Sequence, residues 1–207
     1  MADIKIYGPA PSSYVRTARM TLVEKGLDYD LEPIQFGTDE LRALHPYSKV
    51  PILRHGDVHL YETQAIVRYI DAQFDGPSLV PGDNATMALM EQWISVLNCY
   101  LYGNIVTNYC FEYIRPKGDS GQPDKARIEQ ALPQVEHDLG LLDKGLEGKD
   151  WLVGTFSLAD LMIAPVISTV SMFPEGGQIL DRSGNVRRWL TAIEQRKSGS
   201  LLYPPKG

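Results

Sequence analysis

The chain has 207 residues, 43% of them hydrophobic and 22% charged, and 26 acidic against 20 basic side chains leave a net charge of −6. That make-up is ordinary for a globular protein of one large or two small domains. With no Lys/Arg-rich block, it gives a nucleic acid or an anionic membrane no electrostatic foothold.

No apolar run approaches the length of a membrane span, and the start MADIKIYG goes straight into a strand pattern without a signal-peptide apolar region, so a cytoplasmic protein is expected. Cys99 and Cys110 lie in a helical stretch without Cys-x-x-Cys spacing and are expected to pack as small hydrophobes. The four histidines, His45, His55, His59 and His137, form no helical metal pair, and no metal is expected.

In chain order, Ile4-Lys5-Ile6-Tyr7 alternates as a short strand and Gly8-Pro9-Ala10-Pro11 breaks it. Ser12 and Ser13 precede a helix carrying Val15, Ala18, Met20, Leu22 and Val23, which Gly26 closes. Ser12 therefore reads as an N-cap accepting from the N–H of Val15. A second strand is predicted over residues 29–34 and a short helix over 39–44. Val50-Pro51 then stands before the apolar pair Ile52-Leu53, a proline at the first position of a strand. Were that bond cis, the backbone of Val50 would point outward as an edge for an extended peptide ligand. His55-Gly56-Asp57 predicts a hairpin turn into a strand over 58–61, and Glu62-Thr63 opens a helix with Ala65, Ile66, Tyr69 and Ile70 on its apolar side. The open N–H groups at that helix start favour a carboxylate, and Glu62 beside them suits an ammonium, so together they fit the head of an amino acid.

This order of strands and helices resembles a thioredoxin-like fold, an α/β domain of βαβαββα type, with its first two strands parallel through a helical crossover. Residues 75–82, DGPSLVPG, are dense in helix breakers. The expected organisation is thus an N-terminal domain over 1–75, a linker over 76–83 and an all-α helical bundle over 84–207. Long helices are predicted near residues 84–111, 124–147, 157–172 and 186–197. Ser157 and Asp160 make a short capping box behind Phe156, a folding signal for which losing Asp160 should cost about 0.5–2 kcal/mol.

Three runs carry a resemblance to the glutathione transferases: Tyr-Gly-Pro-x-x-Ser at Tyr7 to Ser12, Pro-x-x-Lys-Val-Pro-x-Leu at Pro46 to Leu53, and Tyr-Glu-Thr-x-Ala-Ile-x-x-Tyr-Ile at Tyr61 to Ile70. The Phe156 to Asp160 capping signal adds to them. The pattern is similar to the cytosolic, serine-type, bacterial-like members. It implies a homodimeric enzyme that takes glutathione as co-substrate, with Ser12 as catalytic hydroxyl and Ser13 as the other candidate. It also implies that Lys49, Val50, Pro51, Glu62 and Thr63 bind glutathione. Lys49 would face the glycyl carboxylate, Val50 would pair its backbone with the cysteinyl part, and Glu62 and Thr63 would hold the γ-glutamyl head. Pro11, Tyr109 and Tyr113 would border a pocket for a small hydrophobic electrophile. Arg42 is the only candidate for a second basic contact between residues 36 and 44.

The chemistry implied is the activation of a thiol. A thiol of pKa about 8.5 is only a few per cent thiolate at neutral pH, and lowering that pKa by about two units takes roughly 2.7 kcal/mol. A hydroxyl hydrogen bond to an ionised partner contributes about 1.5–3 kcal/mol and a helix N-terminus about 0.3–1 kcal/mol, so a serine at a helix start suffices. One hydroxyl has a donor and two lone pairs, so Ser12 can cap and donate together. Two other outcomes stay open on the sequence. One is a glutathione-dependent isomerase of the maleylacetoacetate or maleylpyruvate type, suggested by Ser12, Ser13 and Arg16. The other is a binding protein that keeps the fold without catalysis.

Overall fold

A computed structural model describes residues 3–116, 118 and 121–205. Met1 and Ala2, on which the reading of the chain start rests, and the last two residues of the predicted helical domain lie outside the described residues. The contacts divide the chain into two units, Met1–Val80 with Glu194–Gly207, and Pro81–Ile193.

The first unit is built on four strands, β1 (Ile4–Tyr7), β2 (Asp30–Glu32), β3 (Ile52–His55) and β4 (Val58–Tyr61), in the order β2-β1-β3-β4. β1 runs parallel to β2, while β1 with β3 and β3 with β4 are antiparallel, Ile6 standing opposite Leu31 on one side and Leu53 on the other. β2 is shorter than the predicted 29–34 because Pro33 follows it without an N–H for the ladder. Three helices, α1 (Ser13–Lys25), α2 (Asp39–Leu44) and α3 (Thr63–Gln73), complete the unit. α1 and α3 pack together, and Val15, Ala18 and Leu22 meet Ile66 and Ile70 over Ile4, Ile6 and Leu53 in one buried core. On α3 the buried side holds Ile66, Val67 and Ile70, whereas Ala65, expected there, is exposed. Gly26 closes α1 in the left-handed conformation, as its lack of a β-carbon permits.

Polar ties fasten the rest of this unit. The Lys25 ammonium meets the Asp71 carboxylate at 3.3 Å and the carbonyl of Pro77 at 3.2 Å, and Asp71 also accepts from the N–H of Leu79. Glu24, 4% exposed, accepts from Arg196 and Ser198 in the C-terminal segment.

The second unit is helical: α4 (Asn84–Val96), α5 (Phe111–Ile114), α6 (Lys125–Gly145), α7 (Leu158–Val170), α8 (Pro174–Arg182) and α9 (Gly184–Glu194), with Leu97–Cys110 between α4 and α5 wound as a π-helix. The pattern predicted one helix over 84–111. The chain instead continues helical to Ile114, and the wide winding brings the N–H of Phe111 to the carbonyl of Val106. All residues of α7 are buried, in keeping with its mostly apolar sequence, in which Asp160, Ser168 and Thr169 are the polar exceptions. α8 lies outside the predicted helices, and its sequence holds Pro174, Gly176 and Gly177, residue types that disfavour a helix interior. Proline at a helix start costs nothing, since its missing N–H would have had no partner there. No helix among the described residues is long and apolar enough to cross a membrane.

Candidate active site

The β1 to α1 turn is tight. Gly8 has φ +146°, and a β-carbon on it would lie 2.5 Å from Val15 Cγ2 and 3.1 Å from Val50 Cβ, so only glycine lets this turn close against Val50. Ser12 ends the turn as the N-cap residue of α1, with extended backbone angles, its N–H donating to the Pro9 carbonyl and its carbonyl accepting from Arg16. Its hydroxyl makes no cap hydrogen bond, in contrast to the predicted bond from Val15. The half-buried Ser12 hydroxyl is thus left available at a helix start whose first turn holds no acidic side chain. Ser13 is the first helical residue and is buried, and Pro11 is exposed.

Arg16 points elsewhere. It is 1% exposed, and its guanidinium donates to the carbonyl of Leu202 in the C-terminal segment. Burial lowers its pKa to about 10. Arg16, one of the three residues that suggest an isomerase, is therefore a packing residue of the first unit.

The Val50–Pro51 bond is cis. Among the described residues, the N–H and C=O of Val50 take part in neither the β-ladder nor a turn hydrogen bond, so both are open to an extended ligand. Pro51 is buried behind it, and Lys49 is exposed with no ion-pair partner among the described residues. Arg42 is held by Asp39 of its own helix at 2.6 Å and by the Gly37 carbonyl just before that helix at 2.9 Å. Glu62 occupies the N-cap position of α3 at φ 70°, ψ 116°, a conformation that L side chains rarely adopt. Its side chain is 68% exposed, and Thr63, next to it, is the buried first residue of α3. Backbone strain of this kind costs about 1–3 kcal/mol and concentrates at ligand sites.

One residue of this ledge escaped the sequence reading. His45, the C-cap of α2, is 2% exposed, and its Nε2 faces Glu62 Oε1 at 3.9 Å. Burial pushes its pKa below the usual histidine value, and Lys49 and His59 act in the same sense against Glu62. The only local signal was a hydrogen-bonding side chain just before Pro46 at a helix end.

Comparison with known proteins decides the family. The chain matches the family model for the glutathione S-transferase N-terminal domain over residues 6–78 and that for the C-terminal domain over residues 99–197. The chain belongs to the glutathione S-transferase family. It is 31% identical to glutathione S-transferase 3 of Zea mays over 205 residues, covering 95% of this chain and 91% of that protein. Among solved structures, glutathione S-transferase III in its apo form matches with a TM-score of 0.86 at 29% identity, covering 100% of both chains. A theta-class glutathione S-transferase from Xanthomonas axonopodis pv. citri, solved with glutathione bound, matches with a TM-score of 0.85 at 27% identity over 100% of this chain and 99% of that one. A thioredoxin-like domain followed by an all-α domain is the architecture of this glutathione S-transferase.

In its helical unit, Tyr109 is 0% exposed; its hydroxyl donates to Glu175 Oε2 at 3.2 Å and accepts from the N–H of Gly176 at 2.8 Å. Tyr113 donates to the same oxygen at 2.5 Å and stacks on Phe173, ring centroids 4.5 Å apart. Burial raises the pKa of both phenols; it would raise that of Glu175 too, but the bonds from Tyr113, its own backbone N–H and Tyr109 together outweigh it and keep that carboxyl below its ordinary value. Tyr113 and Glu175 line a cavity of about 550 Å³ with Pro123 and Ile128, and Tyr109 lies behind them as packing. Among the described residues, no group of three or more His, Cys, Asp or Glu is placed to hold a metal ion.

Proposed function

We propose that this glutathione S-transferase activates the thiol of glutathione through Ser12 for attack on a small hydrophobic electrophile. The observation that carries the reading is the Ser12 hydroxyl, which stands at the start of α1 and makes no cap bond. A donor so placed, together with the partial positive charge of a helix start, lowers a thiol pKa by about two units on the magnitudes above.

The other groups fit the rest of the tripeptide. The open N–H and C=O of Val50 match the cysteinyl backbone, with Pro51 holding that edge. The exposed Lys49 ammonium suits the glycyl carboxylate, Glu62 the γ-glutamyl ammonium, and the α3 start with Thr63 the γ-glutamyl carboxylate. In the reaction the thiolate sulfur forms a bond to the electrophilic carbon as the leaving group departs with its electron pair, and Ser12 stays a donor throughout. Pro11 and Tyr113, each on an accessible part of its own unit, are the proposed contacts for the electrophile; Tyr109 is a packing residue. The enzyme works as a cytoplasmic homodimer.

Purified protein with glutathione and a generic aryl halide tests this. Wild type should form the thioether, and Ser12→Ala should lower the rate at least about tenfold, while Ser13→Ala stays within about threefold of wild type. Equal turnover in Ser12→Ala removes Ser12 from the mechanism. Glutathione binding with no turnover of any electrophile would make the chain a binding protein.

A further inference from the structure

His45 is a deeply buried titratable group beside the proposed glutathione ledge that the proposed chemistry leaves without a task. Its Nδ1 accepts the N–H of Tyr47 at 3.0 Å, so in the neutral ring the proton sits on Nε2, the nitrogen 3.9 Å from Glu62 Oε1. The Tyr61 ring lies against the imidazole with centroids 4.8 Å apart, and the Tyr47 ring meets it edge-on at 6.2 Å. At 2% exposure and fixed on three sides, the ring has one nitrogen left for a further role, and that nitrogen lies 3.9 Å from the carboxylate, close enough for charge–dipole attraction but longer than a hydrogen bond. We propose that His45 is a positioning residue for glutathione, its Nε2–H orienting the Glu62 carboxylate toward the γ-glutamyl ammonium. This rests on the assignment of Glu62 above.

A neutral donor suits that task better than a cation. An ammonium or guanidinium at this point would pair with Glu62 and compete with the ligand's own ammonium. A neutral imidazole orients the carboxylate and leaves its charge whole. The charged and titratable groups facing His45 are Glu62, Lys49, His59 and the Tyr47 and Tyr61 phenols, and of the charged ones only Glu62 favours the imidazolium. In acid the imidazolium forms, takes Glu62 for itself and weakens glutathione binding.

The test is H45N in the full chain. Asparagine places a carbonyl oxygen where Nδ1 accepts from Tyr47, so it keeps the turn but does not reach Glu62. H45N should raise KM for glutathione about fivefold while kcat stays within about twofold. Wild-type KM should rise as pH falls from about 7 to about 5.5, with H45N flat over the same range. In an E62Q background, H45N should add nothing further. An unchanged KM in H45N, or acid weakening that survives in it, overturns the proposal. Should H45N fail to fold, E62Q carries the test: loss of the acid dependence supports the role and its persistence overturns it. A wild type that binds no glutathione at all defeats the underlying reading, and the inference with it.

Discussion

The indole Nε1 of Trp189 donates to Asp160 Oδ1 at 2.8 Å, joining α9 to the first turn of α7 within the helical unit. The same carboxylate accepts from the N–H of Leu152, the N–H of Ser157 and the Ser157 hydroxyl, so a residue that reads locally as half of a capping box is the hub of a buried network. Asp160→Asn should therefore cost about 3 kcal/mol in urea unfolding, above the 0.5–2 kcal/mol expected of a cap alone. Burial pushes the Asp160 carboxyl from 3.8 up to about 6 against those four bonds. The folded state then holds this proton more tightly than the unfolded chain. Its contribution to stability is full below pH of about 3.8 and is lost as pH rises through about 6. The stability gap between wild type and Asp160→Asn should widen as pH falls from about 7 to about 4.5. A gap independent of pH would show that Asp160 does not titrate there.

Glu62 combines an exposed side chain with a left-handed backbone, so its two roles separate by substitution. Glu62→Gly accepts φ 70° without strain and should leave thermal stability unchanged or raise it by about 1 kcal/mol. It should also raise KM for glutathione at least about tenfold, because the ammonium loses its carboxylate. Glu62→Ala keeps the strain and should match the loss of binding without the gain in stability. Calorimetric melting beside steady-state kinetics distinguishes the two.

Cys99 is exposed and Cys110 buried, with burial pushing the Cys110 thiol up to about 12. Since the thiolate is the reactive form, a chromogenic disulfide reagent should titrate Cys99 alone in the native protein and both thiols after denaturation. Cys99→Ser should abolish the native reaction. A native reaction that survives it would place Cys110 within reach of solvent.

Most elements of the first unit were legible as local pattern. β1, β4 and α2 fall where alternation, turn residues and caps put them, and Gly26 stops α1 as expected of a C-cap glycine. α8 was hidden because its glycines answer to packing. A β-carbon on Gly176 would lie 2.5 Å from Val170 Cγ1 and 3.1 Å from Tyr109, a constraint that no local pattern expresses.

Local spacing nominates Ser12, Val50, Glu62 and Thr63 as candidates, since caps, proline placement and helix starts act over a few residues, and the family resemblance adds Lys49. Only the tertiary structure turned Arg16 inward to the Leu202 carbonyl, buried Tyr109 behind Glu175 and set His45 beneath Glu62. Each of those is a meeting of residues far apart in the chain. Such a meeting depends on how sheet and helices stack, which local spacing does not encode.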